Sequence, residues 1–208
     1  MVTRDQILQW LEKTAAVLDE NKKYLTQLDA AIGDADHGIN MDRGFKKVST
    51  QLAGVADKDI GAILKTTGMA LISSVGGAGG PLYGTFFMRA GQAVGAKTEL
   101  SAEDLATMLE AGLEGVIQRG KANLQDKTMV DALTPAAKAL RQAVDNSSSI
   151  EAALDAAVAA AEQGMKDTIP LVARKGRASY LGERSAGHQD PGATSSYLML
   201  NALRETLT

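Results

Sequence analysis

Cysteine is absent from this sequence of 208 residues, and aromatic residues make up only 4% of it. The absence of cysteine excludes disulfide frameworks and zinc sites built on thiolates. No apolar run approaches the roughly 18 residues that a transmembrane helix needs, and the first residues show no signal-peptide pattern. We therefore expect a soluble, cytoplasmic protein.

Excess charge of either sign is also missing, because 22 lysine and arginine residues face 25 aspartate and glutamate residues, a formal net charge of −3. The field of such a protein does not attract nucleic acid or an anionic membrane, so neither is expected as a partner. Any anionic ligand has to be held by a local arrangement of residues.

Apolar residues account for 45% of the chain, and they recur at helical spacing. Thr3 and Gln6 form a capping-box pattern at the start of the first amphipathic stretch. The passage around Pro135 leaves two alternatives open: a helix begins at Thr134 with Pro135 at its first position, or an earlier helix kinks at the proline. With about eight or nine helices and no convincing strand, the sequence predicts one all-helical domain spanning residues 1–208.

Acidic residues gather around the segment Gly33–Gly38. Asp34 and Asp36 are two positions apart, so their carboxylates point to the same side of an extended turn, and Asp29 comes from the last turn of the preceding helix. Three carboxylates this close repel one another, and a hard divalent cation relieves the repulsion. A ligand set of oxygens alone favours Mg²⁺ over Zn²⁺. The alternative is a solvated turn in which an aspartate caps a helix.

Nine of the 21 glycines lie in two windows, residues 76–84 and 176–192. Consecutive glycines ahead of a helix let backbone N–H groups approach an anion, and the helix dipole adds to the attraction. The first window lacks the Gly-Lys-Ser/Thr sequence of a Walker A loop. Its alternative interpretation is a mobile turn with close helix packing.

The second glycine window overlaps a basic segment, in which Arg174, Lys175, Arg177 and Arg184 lie within eleven residues. Arginine on a permissive backbone suits a phosphate clamp or a lid, although a solvated basic loop would have the same composition. Taken together, the carboxylates, the glycine loop and the arginines indicate a site for metal-bound nucleotide phosphates.

At these motifs the sequence resembles the dihydroxyacetone kinase subunit L (DhaL) family. Four ordered segments carry the resemblance over nearly the whole chain, namely residues 33–38, 74–84, 126–129 and 175–194. The resemblance implies a barrel of eight antiparallel helices, with a nucleotide bound in the interhelical loops at one end.

The resemblance also implies which residues form the site. Asp29, Asp34 and Asp36 would hold two Mg²⁺ ions, and Arg177 would be the catalytic residue beside the transferring phosphoryl group. A tightly bound ADP or ATP would be contacted by residues from every motif: His37, Gly38, Ile39, Asn40, Ala78, Gly79, Gly120, Met129, Arg177, Asp190, Pro191 and Gly192.

Two positions depart from the pattern of the family. Gly79 stands where some members have serine, so a side-chain hydroxyl is missing there although the backbone N–H remains. Gln125 replaces a glycine just ahead of the segment 126–129. The second departure concerns the path of the loop, since glycine tolerates conformations that glutamine does not.

The function implied by the resemblance is that of a phosphoenolpyruvate–glycerone phosphotransferase subunit. In such a system a phosphohistidine partner, subunit M, phosphorylates the bound ADP, and the γ-phosphate passes to dihydroxyacetone held on subunit K. Two alternatives stay open. One is an ATP-dependent kinase whose nucleotide exchanges freely, and the other is a non-catalytic phosphocarrier in which His37 or His188 takes the phosphoryl group.

Overall fold

Nine α-helices contain most of residues 1–207, the part of the chain that the computed structural model describes. The helices in chain order are α1 (Arg4–Glu20), α2 (Lys22–Ile32), α3 (His37–Leu52), α4 (Ile60–Ser74), α5 (Gly79–Val94), α6 (Ala102–Gly120), α7 (Val130–Asp145), α8 (Ile150–Asp167) and α9 (Pro191–Leu207). Two 3-10 segments, Ala53–Val55 and Arg177–Ser185, lie in the connections. The all-helical prediction is confirmed.

Local capping explains where several of these helices begin. Thr3 Oγ1 accepts the N–H of Gln6 at 3.3 Å, and Gln6 Oε1 accepts the N–H of Thr3 at 2.9 Å, so the predicted capping box is present. Ser101 and Asp104 repeat the same reciprocal arrangement ahead of α6. Each cap satisfies backbone N–H groups that have no partner inside the helix.

Eight of the helices close into a ring. α1 packs on α3, α3 on α4, and each later helix on the next, until α9 returns to α1. The ninth helix, α2, lies outside this ring against α3 and α9. The barrel of eight helices predicted from the family resemblance is therefore present, with α2 as an addition to it.

Successive connections of the ring lie at opposite ends of the barrel, as antiparallel helices require. At one end the chain start meets the α5–α6 connection, where Val2–Thr3 (β1) pairs antiparallel with Glu99–Leu100 (β2). The N–H of Ile60 at the start of α4 donates to Lys97 O at the same end, over 2.8 Å. The expectation of no strand is wrong for this pair, because two-residue strands are too short to show alternation.

The few large aromatic residues are concentrated at the centre of the barrel. Phe87 of α5 contacts three other rings, with centroids 5.7 Å from Trp10, 6.1 Å from Phe45 and 5.3 Å from Phe86. The tilted and edge-on geometries are those that aromatic pairs prefer. These four residues are all the phenylalanine and tryptophan of the sequence, so one cluster joins α1, α3 and α5.

Pro135 is the sixth residue of α7, so the helix begins ahead of the proline and not at Thr134. Proline has no N–H, and the carbonyl of Asp131 therefore loses its helical donor. Gly164 of α8 lies against this carbonyl, and a Cβ on Gly164 would lie 2.1 Å from Asp131 O. Only glycine allows α8 to approach α7 so closely here.

Within residues 1–207, no helix has both the length and the apolar character needed to cross a bilayer.

Candidate functional site

Every second connection of the ring contributes to one cavity at the end of the barrel away from the strand pair. The connections α2–α3, α4–α5, α6–α7 and α8–α9 surround a space of about 470 Å³, which is in the usual range for small-molecule sites. The first residues of α3, α5, α7 and α9 all line this space, namely His37, Gly79, Val130 and Pro191. The positive ends of four helix dipoles therefore surround one cavity, which favours an anionic ligand.

The three predicted metal ligands meet at the edge of this cavity. Asp29, Asp34 and Asp36 each offer a carboxylate oxygen within 4.8 Å of the others. Asp29 is buried, and its Oδ2 accepts the N–H groups of Asp36 at 2.8 Å and of His37 at 3.1 Å. Gly33 makes this turn possible, because a Cβ there would lie 2.0 Å from Asp29 Oδ1.

The charge balance of this acidic cluster fits a divalent cation. Among residues 1–207 the one cation paired with the cluster is Arg177, whose Nε lies 3.0 Å from Asp34 Oδ2. Asp29 and Asp36 make no ion pair within the described part of the chain. Three carboxylates and one exposed guanidinium leave a negative excess, and the donors are all oxygen, the ligand that Mg²⁺ prefers.

Another wall of the cavity is apolar. Leu82 of α5, Val116 of α6 and the loop and helix residues Ala122, Met129 and Val130 line it. Apart from Leu82, these side chains are buried in the core of the barrel. A wall of this kind suits a flat, weakly polar ring such as a nucleobase.

The connection between α8 and α9, residues 168–190, is here called the strap, and it borders the cavity through Lys175, Gly176, Arg177 and Ala178. Lys127 joins the two ends of the strap, because its Nζ donates to Thr168 O at 2.6 Å and to His188 O. Burial lowers the pKa of Lys127. This role of Lys127 has no signal in the sequence, because a lysine in a loop is most often a solvated charge.

Asp190 links the strap to α9. Its Oδ2 accepts the N–H of Ala193 at 2.7 Å, the hydrogen bond of an N-cap. The pKa of Asp190 is raised to about 7, chiefly by burial and also by the nearby carboxylate of Asp131, although the N–H of Ala193 and the charge of Lys127 act in the opposite direction. The turn before α9 therefore depends on a buried carboxyl group.

Thirteen of the fifteen residues assigned to the site from the sequence line the cavity, the exceptions being Gly38 and Ile39. Gly38 lies between α3 and α2, where a Cβ would lie 2.1 Å from Lys22 O. The side chain of Ile39 is 46% exposed on the outside of α3. Direct contact of these two residues with a nucleotide stays a prediction, as it does for the thirteen.

The two departures from the family pattern have different structural consequences. Gly79 is the first residue of α5, and a Cβ there would lie 3.3 Å from Val75 Cγ1, so a serine needs only a small adjustment. Gln125 has φ +72°, in the left-handed region that favours glycine. Its N–H nevertheless donates to the carboxylate of Asp131, so the loop keeps this path with glutamine in place.

We expect Gln125→Gly to raise the free energy of unfolding by about 0.5 to 1 kcal/mol, because it removes the left-handed strain and keeps the backbone hydrogen bond. Urea unfolding of the nucleotide-free protein measures this change. A matched control is Gln163→Gly at an exposed position inside α8, which should lower stability by about 1 kcal/mol. Equal destabilisation by both variants would contradict the assigned backbone conformation.

Comparison with known proteins adds to this geometry. The sequence model of the DAK2 domain matches residues 31–205. A protein of Escherichia coli K12 described as "PEP-dependent dihydroxyacetone kinase, ADP-binding subunit DhaL" is 54% identical over 97% of this chain and 96% of its own length. A Lactococcus lactis protein described as "PTS-dependent dihydroxyacetone kinase, ADP-binding subunit DhaL" is 39% identical over the full length of both chains.

A solved structure shares the fold. The dihydroxyacetone kinase of C. freundii in complex with AMP-PNP and Mg²⁺ superposes with a TM-score of 0.71 at 29% identity, over 96% of this chain and 33% of that one. This chain thus spans about a third of the length of that kinase. It follows from the domain match and the full-length relatives that the chain belongs to the DAK2 domain family and, within it, to the DhaL group.

Proposed function

We propose that this protein is the ADP- and Mg²⁺-binding subunit of a phosphotransferase-system dihydroxyacetone kinase of the cytoplasm, with subunits K and M as its partners. The observation that carries the proposal is the convergence on one cavity of three carboxylates within 4.8 Å and of four helix N-termini. Metal-bound phosphates need both features. The names of the full-length relatives support the same assignment.

In this proposal Asp29, Asp34 and Asp36 would hold two Mg²⁺ ions, and the apolar wall would take the base. Asn40, Ala78, Gly79 and Asp190–Gly192, which line the cavity at the N-termini of α3, α5 and α9, would bind the phosphates. The buried Oδ2 of Asp29 keeps the acidic loop folded through its two backbone hydrogen bonds. The loop is therefore preorganised for the metal.

ADP held by these residues would serve as acceptor of the phosphoryl group from subunit M, which regains a free histidine, and then, as ATP, as donor of that group to a hydroxyl of dihydroxyacetone on subunit K, giving dihydroxyacetone phosphate. The residues of this chain would position the nucleotide and offset its negative charge. Three carboxylates, two Mg²⁺ ions and ADP sum to about two negative charges, and Arg177, at the edge of the cavity, offsets part of that excess.

The experiment that tests the proposal follows the phosphoryl group. The purified protein is incubated with a ³²P-labelled phosphohistidine donor, denatured at neutral pH and separated into nucleotide and protein, which are analysed by mass spectrometry. The proposal predicts label in ATP and an unmodified protein. Label on a histidine with the nucleotide still ADP would identify a phosphocarrier and overturn the proposal.

Two controls separate the alternatives. His188→Gln replaces an exposed histidine of the strap and should leave transfer unchanged, whereas it would abolish a phosphocarrier that uses His188. Free ATP added without the donor should give no sustained turnover with subunit K. Rapid exchange with free ATP and turnover without the donor would identify the ATP-dependent kinase instead.

A further inference from the structure

The hydroxyl of Tyr83 connects α5 to the beginning of α9. The side chain is 1% exposed, and its oxygen lies 2.6 Å from Ser195 Oγ, 2.9 Å from Ser196 Oγ and 3.1 Å from Gly192 O. Since a carbonyl can only accept, the hydroxyl donates in its contact with Gly192. All three of these partners belong to the first two turns of α9.

A second link extends this contact to α3. Ser195 Oγ lies 2.8 Å from Nε2 of His37, which is the first residue of α3. His37, Ser195, Tyr83 and Ser196 therefore form one chain of hydrogen bonds, here called the Tyr83 network. It joins three of the four helices whose N-termini surround the cavity.

The packing of the barrel does not require this hydroxyl. A phenylalanine would fill nearly the same volume, and the fully buried Ser195 would keep the carbonyls of Pro191 at 3.1 Å and Gly192 at 3.2 Å as acceptors in its own helix. Burying three hydroxyl groups costs free energy unless each is hydrogen-bonded, and the bonds to Ser195 and Ser196 are the part of this network that Tyr83 adds. Burial raises the pKa of Tyr83 to about 12, so the group stays a neutral hydroxyl and keeps its donor at physiological pH.

We propose that Tyr83 is a positioning residue whose hydroxyl, through Ser195, fixes the imidazole of His37 and the first turn of α9 in the orientation that receives the phosphates of the ligand. This role rests on the proposed function, because it concerns the same nucleotide cavity. Tyr83 lies inside the barrel, and its packing alone would have no effect on ligand binding. Fully satisfied buried networks of this type hold one geometry.

The first test measures MgADP binding by calorimetry after the nucleotide has been removed. Tyr83→Phe should raise the dissociation constant for MgADP about tenfold, which is the effect expected when one buried hydrogen bond that orients a site is lost. The matched control is Tyr180→Phe, which removes a hydroxyl from a side chain that is 88% exposed on the strap. The control should bind MgADP like the wild type.

The second test needs no nucleotide. The sequence contains two histidines, His37 and His188, so long-range ¹⁵N–¹H spectra of the imidazoles show two rings, and His188 serves as an internal reference. Tyr83→Phe should shift Nε2 of His37 and leave His188 unchanged. Ser195→Ala, which removes the direct partner of the imidazole, should shift Nε2 of His37 at least as far, and the double variant should bind MgADP no more weakly than the weaker single variant, as expected for residues that act through one link.

Each result decides the matter. Wild-type MgADP affinity and an unshifted His37 spectrum in Tyr83→Phe would overturn the positioning role, and so would a lower unfolding temperature with unchanged affinity, which indicates a structural role alone. If the wild-type protein does not bind MgADP, the proposed function fails and this role fails with it. If the wild type binds MgADP and Tyr83→Phe binds it with the same affinity, the proposed function stands and only the role of Tyr83 is rejected.

Discussion

Replacing Asp34 with asparagine is expected to reduce phosphoryl transfer at least about 100-fold, because it removes one of three carboxylates from the proposed magnesium site. Of the three aspartates, Asp34 is the one whose substitution should affect stability least. Its side chain is on the surface and pairs with Arg177 at 3.0 Å, and an exposed ion pair contributes at most about 1 kcal/mol to stability. Asp29, in contrast, also holds the backbone of the acidic loop.

The measurement combines the rate of transfer with the Mg²⁺ dependence of ADP binding. Asp34→Asn should need a much higher Mg²⁺ concentration for ADP binding, while its unfolding temperature without ligands stays close to that of the wild type. Asp57→Asn makes the same chemical change at an exposed site in the α3–α4 connection and should behave like the wild type. Unchanged transfer in Asp34→Asn would show that the acidic cluster is a solvated turn.

Replacing Arg177 with methionine is expected to slow transfer about 100- to 1,000-fold, because the variant keeps the side-chain stem and loses the charge that stabilises the transferring phosphoryl group. ADP retention should change much less, since the carboxylates and helix N-termini that favour the bound nucleotide remain. Arg177→Lys should recover only part of the rate, because lysine lacks the planar fork of donors.

Single-turnover transfer from the labelled donor measures this effect on the step itself. Arg184→Met is the matched control, since Arg184 lies in the same 3-10 segment without lining the cavity. Its rate should equal that of the wild type. If Arg177→Met and Arg184→Met slow the step equally, the charge of the strap acts only as a general field, and Arg177 has no individual role.

The helices were predictable because their signals are local. The capping box of Thr3 and Gln6 and the periodic apolar residues predict helices without knowledge of the rest of the chain. The path around Pro135 was not predictable, since a helix that begins at Thr134 and one that already contains the proline both fit the sequence; in the structure α7 begins at Val130, and Gly164 of another helix lies against the freed carbonyl of Asp131. That contact is a property of the packed barrel.

The candidate site was also predictable only in part. The acidic, glycine-rich and basic segments are recognisable from residue types that helices seldom concentrate, and closure of the ring brings them to one cavity. Lys127 and Tyr83 gave no such signal, because a loop lysine and an aromatic residue at helical spacing have ordinary explanations. Their partners, Thr168 and Ser195, are far away in the sequence and become neighbours only in the folded chain.

Native mass spectrometry of the protein, purified in Mg²⁺ without added nucleotide, tests most directly whether the cavity holds a resident cofactor. We expect one ADP with bound Mg²⁺ per chain, and loss of both from Asp34→Asn but not from Asp57→Asn. A chain that carries no nucleotide, and that does not bind MgADP when it is added, would contradict the assignment of this cavity to ADP.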